Sequence, residues 1–310
     1  MATRAQLLSR LSRSEVDRAL ADGSVLRVGH GRYGLPHLTS DLATAHRLSA
    51  ALSHESAALH HGWGVLLVPQ ECHVTVPANR RLQAPRTSGV VVHRAKLETD
   101  DVSGIVTSQS RTVVDCLRNL PMDRALAVAD SALRAGRSPA WLATLARDAQ
   151  GRGAAQVRTV ASEATELAAN PFESGLRAIG LGVRGLSLRP QVPIHAADGE
   201  FLGRPDLVDS NLRIIAEADS FEWHGGRAAL VKDARRYNDF VVEGWMVLRF
   251  TWDDVTFAPD RVRGTLERAV IERSKGVRSR GSRAKSAPSY VQLRNAANHP
   301  RSAAQKPNVR

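Results

Sequence analysis

Two short apolar runs, Asp206-Leu207-Val208-Asp209 and Ile214-Ile215-Ala216-Glu217-Ala218-Asp219, constrain this chain more than any other stretch. Only Ser210 to Arg213 separate them, a length suited to a hairpin loop, so the two runs read as neighbouring antiparallel strands. If Asp209 pairs with Ile214, the register sets Asp206 opposite Glu217. Alternation with period two then puts Glu217 and Asp219 on one face and Ala216 and Ala218 on the other. Carboxylates gathered at one end of a hairpin repel, which favours protonation of at least one. A hard divalent cation, Mg²⁺ or Mn²⁺, relieves the repulsion, because such ions take oxygen ligands from one or two carboxylates together with water and phosphate.

The flanking sequence completes an α/β unit. Asn170-Pro171 reads as a helix start, with Asn as N-cap, Pro at the first helical position and Glu173 in the first turn. Phe172, Leu176 and Ile179 form the buried face of that helix. Gln191-Val192-Pro193-Ile194 reads as a short strand and Ala197-Asp198-Gly199 as a turn. After the hairpin, Trp223-His224-Gly225-Gly226 leads into a helix from about Arg227 to Glu243, closed by Gly244. Its expected core stripe is Leu230, Ala234, Tyr237 and Val241, and Asp233 and Arg236 share a face. Trp245 to Thr251 makes the last strand, with Trp223, Trp245 and Phe250 expected in the core. The order is helix, three strands, helix, strand.

This order, with Pro205-Asp206-Leu207-Val208, Glu217-Ala218-Asp219, Trp223-His224, Asp233-x-Arg235-Arg236 and Gly244-Trp245-x-Val247-Leu248-Arg249-Phe250, resembles the restriction-endonuclease-like PD-(D/E)xK superfamily over about residues 170–255. The branch it resembles contains the very short patch repair endonucleases and a large uncharacterised nuclease-like family. The resemblance implies a metal-dependent endonuclease, acting in DNA repair or in defence against phage and mobile elements. It assigns Asp206 as the metal-binding aspartate and Glu217 as the acidic position of the motif. Asp219 stands where lysine is usual, so water activation by lysine is missing here. Asp219 joins Asp206 and Glu217 as a metal-ligand candidate. His224 matches a histidine implicated in general acid/base work, Glu173 the acidic residue of the first helix, and Gln191 a strand glutamine of the uncharacterised branch. The chemistry implied is phosphodiester hydrolysis, with Arg236 or Arg249 neutralising phosphate charge.

The front of the chain has a different pattern. Leu7, Leu8, Leu11 and then Val16, Ala19, Leu20 recur at helical spacing, with Ser14 as an expected N-cap and Gly23 as a stop. Val25 to Val28, a Gly29-His30-Gly31 turn and Arg32 to Leu35 read as a hairpin wing. Helix, helix and wing make a winged helix-turn-helix, with Arg10, Arg13 and Arg18 on or near the helix that could enter a groove and Arg32 in the wing. Residues 5–36 resemble the N-terminal winged helix of AbiEi-type antitoxins, whose wing ends in a similar Gly-x-Tyr. That resemblance implies DNA contact and extends in manner to residues 39–150. There, a helix near Leu42–Leu52, the run Ser53-His54-Glu55-Ser56-Ala57-Ala58-Leu59, strands at His73–Val76, Gly89–His93 and Gly104–Thr107, and helices from Arg111 and from Met122 to Ala135 make a mixed α/β region without a catalytic motif. His54, His60, His61, His73 and His93 lack the His-x-x-x-His pairing of a zinc helix and read as surface or capping residues.

Charge supports a polyanionic partner. The formal net charge is +12, but residues 275–310 hold nine Lys/Arg and no Asp or Glu, leaving 34 basic against 31 acidic residues elsewhere. This segment is too poor in large apolar groups to order itself, and reads as a disordered basic tail that is either a solubility tail or an arm for nucleic acid. Cys72 and Cys116 are too few for a disulfide framework or a structural zinc site, and suit a reducing cytoplasm. No membrane span or signal peptide is expected. The expectation is therefore an α+β multidomain protein. It comprises a winged helix-turn-helix at 1–38, an AbiEi-like α/β region at 39–150, a connector at 151–168, a restriction-endonuclease-like domain with a central mixed sheet at 169–274, and the tail at 275–310. DNA is the expected partner, and a homodimer is one expected form because nucleases that cut both strands often act in pairs. The alternative function is a DNA-binding, antitoxin-like regulator whose nuclease fold is idle.

Overall fold

A computed structural model describes residues 2–29, 31–35, 40–80, 82, 87–219 and 227–284. Among them the architecture is α+β, with helices packed on several small sheets. None of the described helices is long and apolar enough to cross a membrane.

The chain begins with β1 (Ala2–Thr3), α1 (Arg4–Leu8), α2 (Arg13–Ala21), β2 (Leu26–Gly29) and β3 (Arg32–Gly34), the strands forming an antiparallel sheet in the order β1-β3-β2. The expected cap Ser14 is displaced by Ser12, which starts α2 two residues earlier. Ser12 and Glu15 cap reciprocally: the hydroxyl accepts the Glu15 amide at 3.3 Å and the carboxylate accepts the Ser12 amide at 2.7 Å.

The middle region holds α3 (Ser40–Leu48), β4 (Ala51–Leu52), α4 (His54–His60), β5 (Cys72–Val76), β6 (Val90–Arg94), β7 (Val102–Ser103), β8 (Val106–Thr107), α5 (Gln109–Asn119), α6 (Met122–Arg134), α7 (Pro139–Asp148) and α8 (Ala154–Glu163). Its mixed sheet runs β6-β5-β4-β8-β7. Behind it Val113, Cys116, Leu126, Val128, Leu142, Val157 and Val160 from α5 to α8 close one core. The stretch 151–168, expected as a connector, thus contains a packed helix. Val157 and Val160 lie three apart on its buried side, a period hidden by the surrounding Ala and polar residues. His60 is exposed as expected, but three of the histidines depart from expectation: His54 is only 1% exposed, and His73 and His93 gather beside it, because adjacent strands and the start of α4 converge there.

The last region holds α9 (Pro171–Leu181), β9 (Arg189–Pro190), β10 (Ile194–His195), β11 (Phe201–Gly203), β12 (Leu207–Asp209), β13 (Ile214–Asp219), α10 (Arg227–Val242), β14 (Met246–Thr251), α11 (Trp252–Phe257) and α12 (Pro259–Ala284). The sheet order is β14-β13-β12-β9, with β12 antiparallel and β14 parallel to β13. Asp209 pairs with Ile214, as the hairpin loop requires. Leu207, Ala216 and Phe250 face α9, α11 and α12 on one side, while Val208 and Ile215 meet Phe240 of α10 on the other. Burial of both faces explains why these strands read as nearly continuous apolar runs.

Three expectations change here. The strand expected at Gln191–Ile194 is split, because Gln191 takes φ +56° and Pro193 has no amide to donate, so β9 joins the main sheet and β10 pairs with β11 instead. The core stripe of α10 is rotated: Phe240 is fully buried, Tyr237 is half-buried, and Ala234 and Val241 are exposed. Gly203 permits that docking, since a Cβ there would stand 3.1 Å from Phe240 Cζ and 3.2 Å from Arg236 Cδ. Finally, residues 275–284, assigned to the tail, continue α12, because no proline interrupts the chain before Pro288. Residues 285–310 lie outside the described residues.

The middle and last regions are bound through α6 and α9. Gly175 brings α9 against Leu66 of the middle region, where a Cβ would stand 3.0 Å from Leu66 Cδ1. Beside it Arg177, 4% exposed, donates through Nη2 to both oxygens of Asp130, 0% exposed, at 3.0 and 2.9 Å.

Candidate active site

Asp206 stands at the entry to β12 and Glu217 on β13, both on the face covered by α10. The Asp206 amide points to Glu217 Oε2 at 3.4 Å, and Asp206 Oδ2 accepts the Ala218 amide at 2.9 Å. These two bonds clamp the carboxylates across the hairpin. Glu217 is 5% exposed, and its Oε1 has no hydrogen-bond partner among the described residues. Arg236 Nη2 stands 3.7 Å from that oxygen. Burial, and then the nearby Asp206 carboxylate, push the Glu217 carboxyl up to about 8, against which Arg236 pulls only weakly. In the absence of a cation the pair therefore holds a proton at neutral pH.

Glu173 lies at the edge of this pair but is used differently. Its Oε1 accepts from Asn170 Nδ2 at 2.9 Å, and its Oε2 from the Ala169 amide at 2.9 Å and Gln191 Nε2 at 3.3 Å. Burial, and to a lesser degree Asp206, raise its carboxyl above the usual range. Glu173 is thus a positioning residue that caps α9 and fixes Gln191. Gln191 in turn donates its amide to the Asp206 carbonyl at 2.9 Å from a left-handed backbone. A non-glycine residue held at positive φ costs on the order of 1–3 kcal/mol and persists where its surroundings determine it.

Asp219 shares the face of Glu217 but not its surroundings, since Arg249 Nη2 donates to it at 2.6 Å, β14 running alongside β13. Arg236 and Arg249 both approach Tyr237, their guanidinium carbons 5.1 and 4.5 Å from its ring centre, and Arg236 Nη2 donates to the Tyr237 hydroxyl at 3.3 Å. Arg236 also meets Asp233 at 3.5 Å. His224, like Trp223, lies outside the described residues. The structure therefore brings Asp206, Glu217, Arg236 and the Glu173–Gln191 support together and places Asp219 in an ion pair beside them. Tyr237, which both arginines approach, was missed as anything but core, although its place next to Arg236 in an amphipathic helix was a usable signal.

At the other end of the chain, Arg10, Arg13 and Arg18 are exposed at the turn before α2 and along it. Arg32 is half-buried and donates to the Ser49 hydroxyl, so it is anchored to α3's end rather than free.

No family model matches the chain. An uncharacterised protein of Mycobacterium tuberculosis, found in two strains, is 30% identical to it over 268 residues, covering 83% of this chain and 97% of the relative. The chain belongs to the family of that mycobacterial protein.

Proposed function

We propose that this chain is a DNA-binding, divalent-metal-dependent endonuclease-like protein, in which a restriction-endonuclease-like C-terminal region hydrolyses phosphodiester bonds. The observation that carries the reading is the buried Asp206–Glu217 pair, with one Glu217 oxygen left without a hydrogen bond and the carboxyl held near neutrality. An orphaned, buried carboxylate oxygen beside a second carboxylate fits a hard cation and is costly without one. Asp206 and Glu217 would hold Mg²⁺ or Mn²⁺. When bound, such an ion would polarise the phosphate and lower the pKa of water. Glu173 and Gln191 orient Asp206 through its backbone, and Arg236, on the same face, neutralises charge on the phosphate. His224 is retained as the candidate for proton transfer, its ordinary pKa lying near neutrality.

In this reading the N-terminal helices and sheet act as a winged helix-turn-helix, with Arg10, Arg13 and Arg18 on the DNA backbone. The two free, buried cysteines agree with a cytoplasmic protein. Repair and defence against mobile DNA are the settings the reading favours, with a homodimer where both strands are cut. The experiment is incubation with plasmid and Mg²⁺ or Mn²⁺, beside an Asp206→Ala, Glu217→Ala double variant. Cleavage by the natural chain and none by the variant is expected. Equal cleavage by both, or none by either, overturns the catalytic reading. A second reading, an idle nuclease fold in a DNA-binding regulator, is favoured by Asp219, which stands at the lysine position and is paired with Arg249.

A further inference from the structure

Three imidazoles meet at a second place, far in sequence from the carboxylate pair. His54 opens α4, His73 lies on β5 and His93 on β6. The strands are parallel with His73 opposite Val91 and Thr75 opposite His93, so the two histidines are diagonal neighbours on one sheet face. The Ser53 amide bonds the His73 carbonyl at 2.9 Å, and the His73 amide donates to the Ser56 hydroxyl at 3.1 Å. These bonds pin the start of α4 across β5. His54 itself sits at φ +51°, a conformation that side chains other than glycine rarely adopt, and that backbone delivers its ring into the cluster.

We propose that His54, His73 and His93 form a binding site for a zinc-class divalent cation, with further coordination left to water or an outside ligand. One potential ligand atom from each ring lies within 4.8 Å of the others. His93 Nε2 and His73 Nδ1 are 3.3 Å apart. Two nitrogens bound to one tetrahedral zinc at about 2.0–2.1 Å are separated by about 3.3 Å, so this pair already has the spacing of two ligands. The His54 and His93 rings stack with centres 3.5 Å apart and 16° between their planes, so binding a third nitrogen requires the His54 ring to turn toward the ion. His54 Nε2 is 2.9 Å from Asn119 Nδ2 and His54 Nδ1 is 3.0 Å from the Ser53 hydroxyl. Both neighbours are neutral; a bound ion takes the place of one of these contacts, and the other stays as the outer partner that holds the ring plane. Three nitrogens without a carboxylate suit zinc, cobalt, nickel or copper rather than magnesium. The site therefore differs in kind from the oxygen pair at Asp206 and Glu217.

Metal-stripped full-length protein titrated with Co²⁺, a coloured substitute for zinc, tests the proposal. A tetrahedral nitrogen site gives an intense visible band, whereas an oxygen site gives a faint one. The band should appear at stoichiometric Co²⁺, be displaced by Zn²⁺, survive Asp206→Asn, and vanish in His73→Gln and in His93→Gln. Far-UV circular dichroism identifies which variants are folded and can be compared. Absence of the band in the natural chain, or its persistence in the folded histidine variants, overturns the proposal.

Discussion

Glu217→Gln keeps the shape of its side chain and removes the charge, and the structure gives both the sign and the size of the resulting change in stability. The Glu217 carboxyl sits at about 8 in the folded chain against an ordinary 4.5, first because it is buried and next because Asp206 faces it. Between those values the folded protein holds a proton that the unfolded chain has released, so stability falls as pH rises, by up to about 1.4 kcal/mol per pH unit. Over the whole interval the upper bound is about 5 kcal/mol, and the pull of Arg236 together with relaxation around the pair reduces it. Glutamine has no such titration, and its amide can donate to Asp206 as the protonated carboxyl does. The variant should therefore be more stable than the natural chain by about 2–4 kcal/mol near pH 8 and by under about 1 kcal/mol near pH 5, measured without divalent metal. Urea denaturation followed by circular dichroism at several pH values reads this directly. Mg²⁺ should flatten the pH slope of the natural chain and leave the variant unchanged. A variant that is no more stable near pH 8, with the same slope as the natural chain, would refute the reasoning. A substitution that raises stability while abolishing cleavage is what a residue kept for function, and not for folding, should give.

Arg177→Met leaves Asp130 buried without its partner and should cost about 3–5 kcal/mol in urea denaturation, while a loss below about 1 kcal/mol would mean the pair is not holding α6 to α9. Replacing Arg10, Arg13 and Arg18 together by glutamine should weaken duplex DNA binding and lessen the dependence of log affinity on log salt by up to about 0.9 for each phosphate no longer neutralised. Mobility shifts at two ionic strengths measure it, and an unchanged salt slope would remove these arginines from the interface.

The hairpin was legible because its information is local. A four-residue loop fixes the register, and period two fixes the face, so Asp206 opposite Glu217 followed from counting. The helix at Pro171 was legible for the same reason, through Asn170 and the proline. What failed depended on partners distant in sequence. The face of α10 was set by Gly203, which admits Phe240 and Arg236, and nothing within the helix sequence says so. Asp219 looked equivalent to Glu217 along its own strand, and only the parallel strand supplies the Arg249 that occupies it. The histidine cluster draws on residues 54, 73 and 93, a spacing that no short motif captures. An arginine inside the apolar run from Phe172 to Leu181 was the signal for a buried partner, but it could not name Asp130.

Helix α9 joins these two kinds of information. Phe172, Leu176 and Ile179 face the core of the last region, Ala178 reaches the core of the middle one, and Arg177 is locked to Asp130. From the first turn of the same helix Glu173 holds Gln191, whose amide holds the Asp206 carbonyl. The position of the site carboxylate is thus tied, bond by bond, to a helix that the middle region clamps. Loosening that clamp should disturb the site without touching it. Arg177→Met should therefore reduce divalent-metal binding at Asp206 and Glu217 even below its unfolding transition. An equally destabilising change within α1 or α2, which pack on each other at the front of the chain, should leave metal binding intact. Calorimetric titration with Mn²⁺ compares the two at matched folded fraction, and equal binding by both variants would break the link.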